Sequence, residues 1–152
     1  MKNAQKKLRI LSGLYGVLKP LDIIEPYRLE MGTKFTFSKY KNLYDYWKAD
    51  VTEVFKEELK KEKYLINCAS NEYFNVLDTK ALSATVITPV FKELRDGKYK
   101  IISFNAKRAR GMMARYIIQN NLKNIEEMKH FDLDNYKFNQ ELSTETEIVF
   151  TR

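Results

Sequence analysis

Hydrophobic and polar positions along this chain change period several times, and each change marks an element. Leu8, Leu11, Leu14/Tyr15 and Leu18 recur at helical spacing and stop before Pro20, which predicts a first helix over residues 2–18. A proline-containing connection runs from Pro20 to Pro26. Between Asn42 and Glu62, the positions Leu43, Trp47, Val51, Val54, Phe55 and Leu59 form the inner stripe of a second predicted helix. Short apolar segments at Tyr64–Ala69, Thr85–Phe91 and Tyr99–Phe104 read as strands. The last two flank Leu94-Arg95-Asp96-Gly97, whose Asp-Gly step favours a hairpin because it tolerates the positive φ such turns need. A third helix follows over residues 106–121, then an acidic, loop-rich stretch from Glu126 to Glu147, and a last strand from Glu147 to Thr151. The pattern is α+β, a mixed sheet with flanking helices. No repeat, low-complexity segment or linker divides it, and its 152 residues are expected to form one domain, 1–152, with a single core.

Composition narrows the classes. Hydrophobic residues make up 44% of the chain, with nineteen Phe and Tyr, which argues against disorder. The lone Cys68 allows no intramolecular disulfide. Neither a signal peptide nor an apolar run near the roughly 18 residues needed to span a bilayer is present, so a cytoplasmic protein with no membrane partner is expected. His130 and Cys68 alone are too few soft ligands for an ordinary zinc or iron site, and no cofactor is expected. A Mg²⁺ site built from carboxylates only stays open.

Charge is where the sequence becomes specific. The net charge is +7 and the pI is near 9.3, and the window from Arg95 to Arg115 holds seven Lys and Arg against one acid, Asp96. Arg108 and Arg115, seven residues apart, share one helix face, while Ala109, Met112, Met113, Tyr116 and Ile117 form an apolar stripe elsewhere. Such a run is either a solvated face or an anion site. Gly111 costs about 1 kcal/mol against Ala inside a helix, and Ala106 and Ala109 are small, so a backbone or a phosphate can come close. An anion near the start of this helix would meet free amide groups as well as guanidinium forks. Lys107, Arg108, Arg110 and Arg115 are therefore candidate phosphate contacts, and nucleic acid is the commonest phosphate carrier for so basic a chain.

Three polar clusters sit where elements are expected to end. Leu11–Gly16 offers Ser12 and Tyr15 among two glycines, with a helix C-cap or close packing as the plain structural account. Pro26–Gly32 offers Arg28 and Glu30, which a surface ion pair would explain. Asn67–Phe74 offers Asn67, Glu72 and Tyr73, where an N-cap with its partner is the simpler account. None of these is a nucleophile elbow, a Walker loop or a dinucleotide fingerprint.

In order along the chain, these segments carry more. Leu11-Ser-Gly-Leu-Tyr-Gly-Val-Leu-Lys-Pro-Leu-Asp22, Pro26-Tyr-Arg-Leu-Glu-Met-Gly32, Leu43-Tyr-Asp-Tyr-Trp47, Asn67-Cys-Ala-Ser-Asn-Glu-Tyr73, Ala106-Lys-Arg-Ala-Arg-Gly-Met112 and Glu147-Ile-Val-Phe-Thr-Arg152 resemble the YaaA family of bacterial peroxide-stress-resistance proteins. The resemblance runs from about Leu8 to the C-terminus. It implies a mixed α+β fold, a positively charged cleft, DNA binding, and a role in limiting intracellular iron under hydrogen peroxide. Family members also carry an N-terminal region that opens with a strand and an Ile-Ser-Pro-Ala-Lys-like motif, so this chain corresponds to their C-terminal portion. An incomplete sheet and self-association through the surface left by that region are the expectation that follows.

Two functions fit these residues. A DNA-binding protein, sequence-nonspecific, would use Lys107, Arg108, Arg110 and Arg115 on phosphates, with Tyr15, Tyr27 or Tyr73 stacking on exposed bases. An enzyme acting on a nucleotide or phosphorylated small molecule would instead gather Ser12, Arg28, Asn67, Glu72 and Arg108 around one pocket, with Glu30, Glu72 or Asn67 near the reacting group. The family resemblance favours the first, a non-enzymatic role.

Overall fold

The computed structural model describes residues 1–152, and the chain divides into two compact units, residues 1–65 with 69–85 and residues 66–68 with 86–152. In the first unit, α1 (Lys2–Lys7) is followed by strands β1 (Ile10–Ser12) and β2 (Gly16–Leu18), then α2 (Leu43–Glu58) and the single turn α3 (Asn71–Phe74). The helix expected over residues 2–18 is thus corrected: it stops at Lys7, and residues 10–18 form an antiparallel hairpin with Ile10 opposite Leu18 and Ser12 opposite Gly16. The leucine spacing misleads because the turn is decided by other residues. Gly16 takes φ +71, and the Ser12 Oγ accepts the N–H groups of Leu14 and Tyr15 at 3.3 and 3.0 Å, closing the three-residue loop. The glycines are not a helix cap. A Cβ on Gly13 would lie 2.5 Å from the Leu29 carbonyl oxygen, and one on Gly16 would lie 2.9 Å from the Trp47 ring.

Helix α2 starts where its N-cap says it should, the Asn42 side chain accepting the Asp45 N–H at 2.9 Å. Its row Leu43, Val51, Phe55 and, just past its end, Leu59 is buried with Met31, Val76, Leu77 and Ala84, while Trp47 is half-buried against the same core. Val54, expected in that stripe, is 41% exposed, because it stands off the i, i+4 row that the other residues follow. The helix ends at Glu58 rather than Glu62, since Lys60-Lys61-Glu62-Lys63 offers no apolar group to bury.

The second unit takes the last residue of β3 (Tyr64–Ile66), then β4 (Thr85–Arg95) from Val86 onward, β5 (Lys98–Lys100), α4 (Ser103–Gln119), the short α5 (Ile125–Met128), β6 (Lys137–Phe138) and β7 (Glu147–Thr151). The strand order is β3-β4-β7-β6, with β5 on β4. β4 and β7 run parallel, from Thr88 opposite Glu147 to Lys92 opposite Thr151, whereas β4–β5 and β6–β7 are antiparallel. The sheet is mixed and the chain α+β, as its patterning predicts. Asp96 and Gly97 take φ +53 and +73 in the β4–β5 turn, the conformation the Asp-Gly step anticipates. Alternate residues of β4 are buried, Ile87, Phe91 and Glu93 among them. Phe91 stacks on Phe150 of β7 at 5.3 Å and meets Phe131 and Tyr136 edge-on at 5.7 and 5.1 Å. Ala106, Ala109 and Met113 are the buried residues of α4. No helix is long and apolar enough to cross a membrane.

Candidate nucleic-acid interface

Helix α4 turns its small and apolar residues inward and its cations outward. Lys107, Arg108 and Arg115 are exposed on the side away from Ala106, Ala109 and Met113, whereas Arg110, one turn after Ala106, is half-buried at the margin of the inner face. None of the four takes part in any of the chain's ion pairs. Arg115 Nε donates to the Gln119 Oε1 at 3.2 Å, a neutral partner one turn away. Gly111 lies among these cations, and a Cβ built there would meet no atom within 4 Å. The helix start has no side-chain cap and no acid in its first turn, so its first amide groups keep their partial positive charge. Phe104, in that turn, is 78% exposed.

Beside this face lies a group of charges that the basic window concealed. Glu93, only 5% exposed, accepts hydrogen bonds from Asn105 Nδ2 at 2.7 Å, Arg152 Nη2 at 2.9 Å and Tyr136 Oη at 3.2 Å on one oxygen, and from Arg95 Nη2 at 2.9 Å on the other. Arg152 is held in turn by Asp134 Oδ2 at 2.7 Å and lies over the Tyr136 ring, 4.7 Å from its centroid. Burial pushes the Glu93 carboxyl up, but the hydrogen bonds from Arg152, Asn105 and Arg95 outweigh it and hold the group down at about 2. Asn105 belongs to the first turn of α4, so this carboxylate ties the start of the basic helix to β4. A sequence signal was there: in the alternation Ile87, Pro89, Phe91, Glu93, a charged residue stands on the inward parity of a strand. Arg95 therefore faces Glu93, and Lys100 pairs with Asp96 at 3.1 Å. Of the seven cations in the window, Lys98, Lys107, Arg108, Arg110 and Arg115 are left without an acidic partner.

The other candidates fall into both units. In the second, the Asn67 N–H donates to the Ile87 carbonyl at 2.8 Å, and the residue is buried. The neighbouring Cys68 thiol is pushed up to about 12 by burial, against a smaller opposing effect of the Arg110 charge, which keeps it protonated. In the first unit, the Ser12 hydroxyl is buried and shares a hydrogen bond with the Tyr27 hydroxyl. The Tyr15 hydroxyl accepts the Glu25 N–H at 3.1 Å, and the Tyr15 and Tyr27 rings meet edge-on at 5.4 Å. Arg28 is exposed and forms no ion pair with Glu30. The Glu72 carboxylate accepts the Gly32 N–H at 3.0 Å, and its carbonyl accepts the Tyr44 hydroxyl at 2.7 Å. The N-cap of α3 is Ser70, whose Oγ accepts the Tyr73 N–H. Burial, then the Glu72 charge, raises the Tyr73 hydroxyl pKa. No three His, Cys, Asp or Glu side chains come together as a metal-binding group.

A family model described as peroxide stress protein YaaA matches residues 1–142, the whole of α4 included. The chain belongs to that family. A UPF0246 protein of Saccharophagus degradans is 56% identical over 151 residues, which is 98% of this chain and 59% of that protein. One from Flavobacterium johnsoniae is 56% identical over 148 residues, 97% of this chain and 59% of its own length. One from Aliivibrio fischeri is 54% identical over 151 residues, 98% and 58%. The chain thus spans somewhat under two thirds of the curated relatives it matches, and the YaaA resemblance read from its motifs is confirmed.

Proposed function

We propose that this YaaA-family chain is a cytoplasmic DNA-binding protein of the peroxide stress response, and that it holds backbone phosphates along the outer face of α4. Lys107, Arg108 and Arg115 make the contacts, with Arg110 at the edge of the face. One observation carries this reading: four cations crowd a single 17-residue helix without a carboxylate partner among them. Like charges one turn apart destabilise a helix slightly, and a polyanion laid along the face relieves that repulsion. The open space at Gly111 lets a phosphate approach the helix backbone. Phosphate contacts carry no sequence information, so binding is sequence-nonspecific.

Fluorescence anisotropy with a labelled duplex tests this. Affinity should fall steeply with salt, because each neutralised phosphate releases about 0.9 counterion on duplex DNA. Reversing Arg108 and Arg115 to Glu should weaken binding equally for unrelated sequences and flatten the salt dependence. Unchanged affinity in that double variant at two salt concentrations would exclude α4 as the binding face.

A further inference from the structure

A second surface, in the first unit, combines charge with exposed aromatic rings. Between Thr33 and Asn42 the sequence interleaves Lys34, Lys39 and Lys41 with Phe35, Phe37 and Tyr40, and it contains no acid. Phe37 and Tyr40 exchange backbone hydrogen bonds of 3.2 and 3.0 Å around Ser38, which takes φ +52. This tight turn fixes the Phe37 ring, which is also held edge-on by Tyr46 at 5.0 Å. Phe35 then stacks on Phe37, with centroids 4.9 Å apart and planes 16° from parallel. Phe35 is itself 46% exposed, so an anchored aromatic stack ends in solvent. Beside it lies an open depression of about 350 Å³ lined by Lys34, Phe35, Thr36, Lys41 and Asn42. The ammonium groups of Lys34 and Lys41 are in no ion pair. The acid nearest in the hydrogen-bond network, Asp45, is occupied with the backbone N–H of Lys41 at 3.1 Å and with the turn that caps α2.

We propose that this depression binds a nucleotide unit of single-stranded nucleic acid, its base extending the stack on Phe35 and its flanking phosphates held by Lys34 and Lys41. The ring platform calls for a flat π-surface, and the two unpaired ammonium groups call for an anion next to it. A nucleotide carries both, whereas an acidic peptide supplies only the charge. The depression is near the lower end of ligand-pocket volumes, enough for one nucleotide. Stacking of bases on exposed aromatic residues inside a basic groove is how sequence-tolerant single-strand binding is built. The site lies in a different unit from α4 and does not depend on the α4 reading.

The test uses the full chain with Phe35→Trp as a stacking reporter, its emission read as the difference from the wild type, which retains Trp47. Labelled (dT)12 should quench the new tryptophan at low salt. Phe35→Ala should weaken (dT)12 binding about fivefold or more, as expected where one stacked base is lost. Lys34→Gln with Lys41→Gln should flatten the slope of log affinity against log salt by about 1.4, two single-strand phosphates at about 0.7 each. Thymidine monophosphate separates the sources: quenching by (dT)12 at far lower nucleotide concentration than by the monophosphate assigns the site to the polymer, and equal affinity per nucleotide assigns it to free nucleotides and overturns the single-strand reading. Repeating the titration in the Arg108→Glu, Arg115→Glu background separates this site from α4, since the quenching should persist there. No quenching by either probe, equal quenching by oligoglutamate, or unchanged (dT)12 affinity in Phe35→Ala with circular dichroism intact would overturn the proposal.

Discussion

Two arginine-rich regions of the second unit use the same chemistry to opposite ends. Around Glu93, the guanidinium groups of Arg95 and Arg152 are consumed by one buried carboxylate. Along α4, Lys107, Arg108, Arg110 and Arg115 face no acid. The first group organises the protein, and the second is available to something else. Counting charges along the sequence merges the two, because Glu93 stands two residues before the basic window begins. Adding it, and noting the Lys100–Asp96 pair, concentrates the free charge on the helix.

Removal of Glu93 is expected to have the largest effect. Glu93→Ala leaves Asn105 without its acceptor and Arg152 with Asp134 alone, and losing the carboxylate of a buried pair costs about 3 kcal/mol. Urea denaturation followed by circular dichroism should show that loss. A loss below about 1 kcal/mol would mean that the cluster is solvated and does not hold the fold. The pH dependence is the second test. Glu93 titrates near 2 in the folded chain and near 4.3 when unfolded, so the folded state binds fewer protons between those values. Its contribution is complete above about pH 4.5 and is lost as the pH falls toward 2. Glu93→Gln should flatten that acid limb, and an acid limb identical to wild type would assign acid sensitivity to other carboxylates.

A finer contrast sets Arg95→Gln against Arg108→Gln. Arg108→Gln should reduce the salt slope of duplex binding by about 0.9 and move stability by no more than about 0.5 kcal/mol. Arg95→Gln should leave the slope unchanged and lower stability, because it removes a donor from Glu93. The reverse result would exchange the roles assigned to the two regions. The smallest effect on duplex binding is expected from Gly111→Ala, which has open space for its methyl group and keeps every cation; it should raise stability by about 1 kcal/mol while weakening binding slightly. A stabilised variant that binds DNA as well as wild type would show that nothing approaches the helix there.

Much of this organisation was legible where local chemistry is decisive. The Asp96-Gly97 turn, the last strand and the outward Lys107, Arg108 and Arg115 of α4 all follow from residues close together in sequence. The 2–18 helix failed for an equally physical reason. Leu8, Leu11 and Leu18 satisfy helical spacing, yet the Ser12 side chain and the left-handed Gly16 close a hairpin whose backbone lies against Leu29 and Trp47, contacts that periodicity does not contain. Glu93 was hidden because its four donors come from four places in the chain, the farthest 59 residues away. The stacked pair Phe35 and Phe37 leaves no periodic signal, because it sits in a loop where neither the 3.6 nor the 2.0 period applies.

The double pairing of β4 also orders events in time. Its end, Glu93–Arg95, meets β5 across a two-residue turn, a contact that forms early because little chain entropy is lost in closing it. Its middle, Thr88–Lys92, meets β7 only after the intervening polypeptide has been made and folded back. Until that strand docks, Glu93 lacks Arg152 and α4 lacks its full anchor. By sequence separation alone, the Arg152–Glu93 contact closes the longest loop of any that hold the start of α4 to β4.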